Sequence, residues 1–166
     1  MNALLVQNAD PKILRIQSFH YSNPRADFSR SLGELADEAR FKLTDPHVLM
    51  PGYFRSFRKP SKDLLVVTFD RPMDYDSVIE ALDRPDIMMR PAELAELVAL
   101  AICYPEEQAR DGQILGLGSV AQRLEGRFVP GLSWSKELGR CLVPYGCDPG
   151  RKWPAACRFA VVSLKG

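Results

Sequence analysis

The sequence predicts an α+β fold: one domain over residues 1–166, with about three helices packed on a mainly antiparallel sheet. Three observations predict it. Apolar residues recur at spacings of three and four in separate stretches of the first 111 residues. Between them lies Leu64-Leu65-Val66-Val67-Thr68-Phe69, a continuous apolar run of strand length. After Gly112 the texture changes to short apolar runs separated by glycine turns. Residues 1–111 therefore read as a mixed part and residues 112–166 as a β-rich part.

The elements follow in order. Leu14 to Phe19 alternates as a half-buried strand does, and Ser22-Asn23-Pro24-Arg25 ends it. Phe28, Leu32, Leu35, Ala36, Ala39 and Leu43 then mark one face of a helix. Ser31 and Glu34 have capping-box spacing, so the helix starts at Ser31 and leaves Phe28 outside. Pro46, Pro51, Gly52 and Pro60 make the next stretch irregular. Leu64–Phe69 suits a central strand buried on both faces, and Asp70-Arg71-Pro72 stops it. Asp76 to Leu82 reads as a short helix with acidic residues where the macrodipole favours them. Pro91 stands where a first helical residue belongs, and Leu94, Leu97, Val98, Ala101 and Ile102 form a stripe with Glu93 and Glu96 facing outward. Strands are expected at Ile114–Val120, Arg127–Trp134, Arg140–Val143 and Arg158–Leu164, with turns at Gly126, Gly139 and Gly146–Gly150.

Composition bounds the function. With 46% hydrophobic and 26% charged residues over 166 positions, the chain can bury a core and is no disordered tail. The net charge of +1 hides a polarity. Residues 1–69 hold ten Lys/Arg against seven Asp/Glu, residues 70–111 four against eleven, and residues 112–166 eight against three. Such segments can neutralise one another on folding or present faces of opposite sign. Met1–Val6 lacks the basic and long apolar parts of a secretory signal, and no run approaches the roughly 20 residues that span a bilayer. No membrane association and a cytoplasmic location are expected, and four cysteines are too few to staple a chain this long.

No catalytic motif is recognisable. Histidine is the commonest acid–base group near neutral pH, and His20 and His47 have no spaced Cys or His partner. Asp70, Asp74 and Asp76 follow the best strand, where an oxygen-rich cluster can hold magnesium, but capping of the next helix explains the same residues. Cys141, Cys147 and Cys157 lack Cys-x-x-Cys spacing for zinc, and Cys103 reads as a small buried hydrophobe. Gly116-Leu117-Gly118 has neither the lysine nor the following helix of a phosphate loop. No cofactor is expected.

Binding features are more evident. Tyr53 to Lys62 interleaves aromatics with Arg55, Arg58, Lys59 and Lys62, a pattern that can pair with phosphates and stack on bases. The same stretch fits a loop whose aromatics tuck into the core. Arg123, Arg127, Arg140, Arg151, Lys152 and Arg158 form a second basic face if the turns gather them, with Trp134, Tyr145 and Trp153 as aromatic anchors.

Pro105-Glu106, Gln108, Leu117-Gly118-Ser119-Val120, Val129-Pro130, Leu132, Trp153, Arg158-Phe159 and Val162 occur in that order. This pattern resembles a group of small bacterial proteins that end in a helix, a Gly-Ser-Val strand and a Trp…Arg-Phe strand. Some of these are similar to C-type-lectin-like variable target proteins of diversity-generating retroelements. The resemblance covers the C-terminal part from Pro105 onward and implies ligand binding by an exposed loop surface before the last strand.

The leading expectation is a non-enzymatic protein that binds a protein or other macromolecule through its C-terminal loops, using Trp134, Arg140, Tyr145, Arg151 and Trp153. One alternative is a nucleic-acid-associated protein using Arg55, Arg58, Lys59 and Lys62. Another is a small metal-dependent enzyme at Asp70, Asp74 and Asp76.

Overall fold

In the computed structural model, which describes residues 10–20, 27–50, 52–54, 60–110 and 112–165, the apolar run after Lys62 forms an interior strand. This strand, β3 (Asp63–Phe69), lies between the edge strand β1 (Ile13–His20) and β9 (Arg158–Ser163), antiparallel to both. β9 has two neighbours on its other side. β5 (Ile114–Leu115) runs parallel to its start, and β4 (Met89–Pro91) runs antiparallel to its end. The sheet continues through β7 (Gly126–Ser135) and β8 (Gly139–Gly146) to β2 (Leu43–Thr44), while β6 (Ala121–Arg123) pairs with β7. Among the described residues only β2–β8 and β5–β9 pair in parallel.

The helices cover both faces, which is why β3 and β9 read as unbroken apolar runs. α1 (Leu32–Ala39) and α3 (Leu94–Cys103) bury Leu64, Val66, Ala160 and Val162 on one face. α2 (Tyr75–Leu82) covers Val67, Phe69, Phe159 and Val161 on the other. Each fully buried Val, Leu or Phe side chain among these stabilises the fold by about 1.5–3 kcal/mol.

Local chemistry fixes the helix ends. Ser31 caps α1: its hydroxyl accepts from the Glu34 N–H, and the Glu34 carboxylate accepts from the Ser31 N–H at 2.8 Å. Asp74 caps α2 by accepting from the Ser77 N–H at 2.8 Å, so that helix opens at Tyr75, one residue before the expected Asp76.

α3 departs from expectation. Pro91 belongs to β4, and the helix starts after Glu93. Glu93 and Glu96 are buried, not outward-facing. The Glu96 carboxylate takes two bonds from the Arg90 guanidinium, at 2.6 and 3.0 Å, together with the N–H groups of Glu93 and Ser61. An apolar stripe reports where hydrophobic side chains lie, but it cannot show that a carboxylate beside it has four donors waiting. The same corner explains why β5 is so short. Gly118 donates its N–H to the Ala92 carbonyl, and a Cβ there would lie 2.8 Å from that oxygen. Residues 116–120 thus brace the start of α3, with Ser119 Oγ accepting from the Leu94 N–H at 2.9 Å, and do not continue the strand expected to Val120.

Glu96→Ala leaves Arg90 as a buried charge without its carboxylate. Urea unfolding should show a loss of about 3–5 kcal/mol; a loss below about 1 kcal/mol would contradict this reading of the corner.

Candidate anion-binding cleft

The five residues expected to form a partner surface lie at different places. Trp134 and Arg140 are cross-strand neighbours at one end of the β7–β8 hairpin, and Trp134 is exposed. Arg140 turns inward: Nε donates to Gln108 at 2.8 Å, and Nη2 reaches the Ala101 carbonyl. Tyr145 lies five residues along β8 from Arg140, roughly 16 Å away, and strand alternation puts it on the other face. Arg151 is exposed and lies against Gly146. Trp153 is only 4% exposed, packing edge-on to Phe159 at 5.7 Å between centroids in the α2-side core. The structure therefore pairs Trp134 with Arg140 and leaves the other three at the far end of the sheet or inside it.

The other basic side chains are also held locally. Arg123 stacks on Tyr53 at 4.0 Å, and Arg127 stacks on Tyr75 at 4.5 Å and donates to the Cys147 carbonyl. Arg55, Arg58 and Lys59 lie outside the described residues. Of the remainder of that segment, Phe54 is buried and Lys62 is exposed.

The three aspartates do not converge. The Asp70 carboxylate accepts from Arg71 and from the Lys12 N–H, which hold it down to about 2. Asp74 is the α2 cap, and exposed Asp76 stands 3.9 Å from Arg127. No group of three His, Cys, Asp or Glu side chains that could hold a metal occurs among the described residues. His20, at the end of β1, contacts Asp63, and His47 lies 3.0 Å from Asp45. All four cysteines are free thiols. Cys103 is half-buried beside the α3 core, and burial pushes Cys157 up to about 12.

What the fold does bring together is a set of arginines that are far apart in sequence. Pro105 follows α3 and starts a 3-10 turn, Pro105–Ala109, that lies over the α3-side face of the sheet. Arg158, the first residue of β9, holds this turn in place. Its Nη2 donates to the carbonyls of Glu107 at 2.7 Å, Gly112 at 3.0 Å and Arg110 at 3.4 Å. Its Nη1 reaches the Glu107 carboxylate at 3.4 Å. Glu107 is 2% exposed and also receives Arg110 at 3.2 Å and the Gln17 amide at 3.2 Å.

Beside this cluster is a cavity of about 430 Å³, lined by Arg15, Gln17, Thr68, Arg110 and Arg158 with Val66 on its floor. Among the described residues, three guanidiniums against the single Glu107 carboxylate give a formal charge of +2. Arg158 is 8% exposed, and its Nε is buried without a partner among the described residues. Burial weakens its hold on its proton, and Arg110 and Arg15 push the same way against Glu107. The guanidinium stays charged, so an anion placed beside it would relieve this repulsion. The cavity's described lining supplies guanidinium, amide and hydroxyl donors to a carboxylate or phosphate.

Sequence reasoning missed Arg15, Gln17, Glu107 and Arg110. The signals present were an arginine inside an apolar strand and another opening the last one.

No family model matches the chain, and neither curated proteins nor solved structures match it.

Arg158→Met strips three carbonyls and Glu107 of a shared donor, and should cost about 3 kcal/mol in denaturant unfolding; an unchanged midpoint would contradict the clamp. With its thiol at about 12, Cys157 is a thiolate in only about one molecule in 10⁴ at pH 8. Alkylation read by mass spectrometry should therefore leave Cys157 unmodified in the native protein and label it after unfolding.

Proposed function

We propose that the protein is a non-catalytic binding protein that recognises an anionic group of a protein partner in the cleft between β1, β3 and the 3-10 turn. The observation that supports this most directly is the convergence of Arg15, Arg110 and Arg158 on one cavity where, among the described residues, Glu107 is the one carboxylate paired with them. The contact surface thus moves from the C-terminal loops to a site where Arg158 is the one contribution of the C-terminal third. Trp134, on β7, is exposed but stands four strands from β1 in the sheet, so it is not part of this site. A protein partner fits better than a nucleic acid. Backbone phosphates are tracked by broad positive surfaces, whereas this chain has a net charge of +1 and Arg15, Arg110 and Arg158 converge on one cavity of about 430 Å³. No helix among the described residues is long and apolar enough to cross a membrane. The four free thiols suit a cytoplasmic setting.

Arg15 makes no ion pair among the described residues, which makes it the variant of choice. Hexaglutamate at a hundredfold excess over Kd should raise the Tm by about 5–10 °C at low salt. Arg15→Glu and 0.5 M salt should each abolish the rise. No rise in the wild type would contradict the proposal. Tighter binding of a single-stranded oligonucleotide, also lost in Arg15→Glu, would assign the cleft to nucleic acid instead.

A further inference from the structure

The cleft adjoins a strand edge that is open among the described residues. β1 is the last strand of its side of the sheet and pairs only with β3 among the described residues. Ile13 pairs with Phe69 and Arg15 with Thr68, so Leu14 is the extra residue of a bulge and the regular ladder runs from Arg15 to His20. Register divides this stretch between two faces. Arg15 and Gln17 line the cleft, opposite Thr68 and Val66, and Phe19 is buried on the same side. Ile16 and Ser18 lie on the other side, opposite Val67 and Leu65. Ile16 is 53% exposed and Leu14 68%. Among the described residues, one edge therefore offers unpaired main-chain donors and acceptors, a cationic site on one face and apolar side chains on the other.

We propose that β1 takes an extended acidic segment of a partner protein as an additional strand, with every second residue acidic and directed into the cleft. The residues between would be apolar and lie against Ile16. This inference rests on reading the cleft as an anion site. Charge selects the occupant. Neighbouring strands lie roughly 4.8 Å apart, so a Glu or Asp opposite Arg15 or Gln17 places its carboxylate within reach of the guanidiniums. A second copy of this chain would instead bring its own Arg15 to the same edge, where like charges repel. The bulge and Arg15 also discourage pairing with neutral strands, the usual protection of an exposed edge, and here that protection becomes selectivity for acidic sequences. Main-chain bonds to β1 would supply affinity and the cleft would supply specificity.

The test uses the whole chain and a fluorescent seven-residue peptide alternating Glu and Val, with two isomers N-methylated on alternate residues. A strand bonds its neighbour through every second N–H, so methylation of one set should weaken binding at least tenfold and of the other set should leave it within about threefold. Arg15→Glu, checked for an unchanged circular dichroism spectrum, should abolish peptide binding. If both isomers bind like the parent while hexaglutamate still raises the Tm, the cleft takes anions but strand addition is overturned. If neither peptide nor hexaglutamate binds, the cleft reading fails and this inference with it. A dimer in sedimentation of the free protein that Arg15→Glu dissociates would give the edge to a second copy, and would overturn the proposal.

Discussion

Arg158 is the constraint on which the rest of the arrangement depends. It opens β9, the strand that joins β3 to β4 and β5 and is buried on both faces. A guanidinium at the start of such a strand cannot reach water freely, and a buried charge left unpaired costs several kcal/mol. The chain after α3 bends to meet it, bringing the carbonyls of Glu107, Arg110 and Gly112 and the Glu107 carboxylate to one fork. That bend is the 3-10 turn, and the turn is the wall of the cleft. One requirement, satisfying Arg158 inside the protein, thus shapes both the packing over β1 and β3 and the site beside it.

The contrast with Arg90 shows what is distinctive. Arg90 is equally buried, but Glu96 meets it with two short bonds and holds it more firmly charged. That pair is closed, and its role is to fix the corner between β4 and α3. At Arg158 the single carboxylate is shared with Arg110 and Gln17, and Arg15 adds a further charge. The first arrangement is a structural ion pair; the second has charge left over.

The sequence made the fold legible wherever local chemistry repeats along the chain. The Ser31 capping box, the two-faced β3 run and the β-rich C-terminal part all follow from neighbouring residues. Legibility stopped where partners are distant in sequence. Glu96 lies on an apolar helix and would be placed in solvent by its charge, yet Arg90 and Ser61 draw it inside. The cleft was hardest to foresee, because Arg15, Arg110 and Arg158 come from three separate parts of the chain and meet only through the β1–β3–β9 order. The basic residues that cluster in sequence after Arg123 proved less informative. Tyr53, Tyr75 and Gln108 occupy them one at a time.

The central claim is that an anion binds beside Arg158, whose Nε–H is the most direct reporter. In a ¹⁵N spectrum of arginine side chains, titration with acetate or phosphate at constant ionic strength should move the Arg158 Nε–H resonance saturably, and Arg15→Glu should abolish that movement. An Arg158 resonance that stays fixed while exposed arginines shift weakly and without saturation would contradict the account.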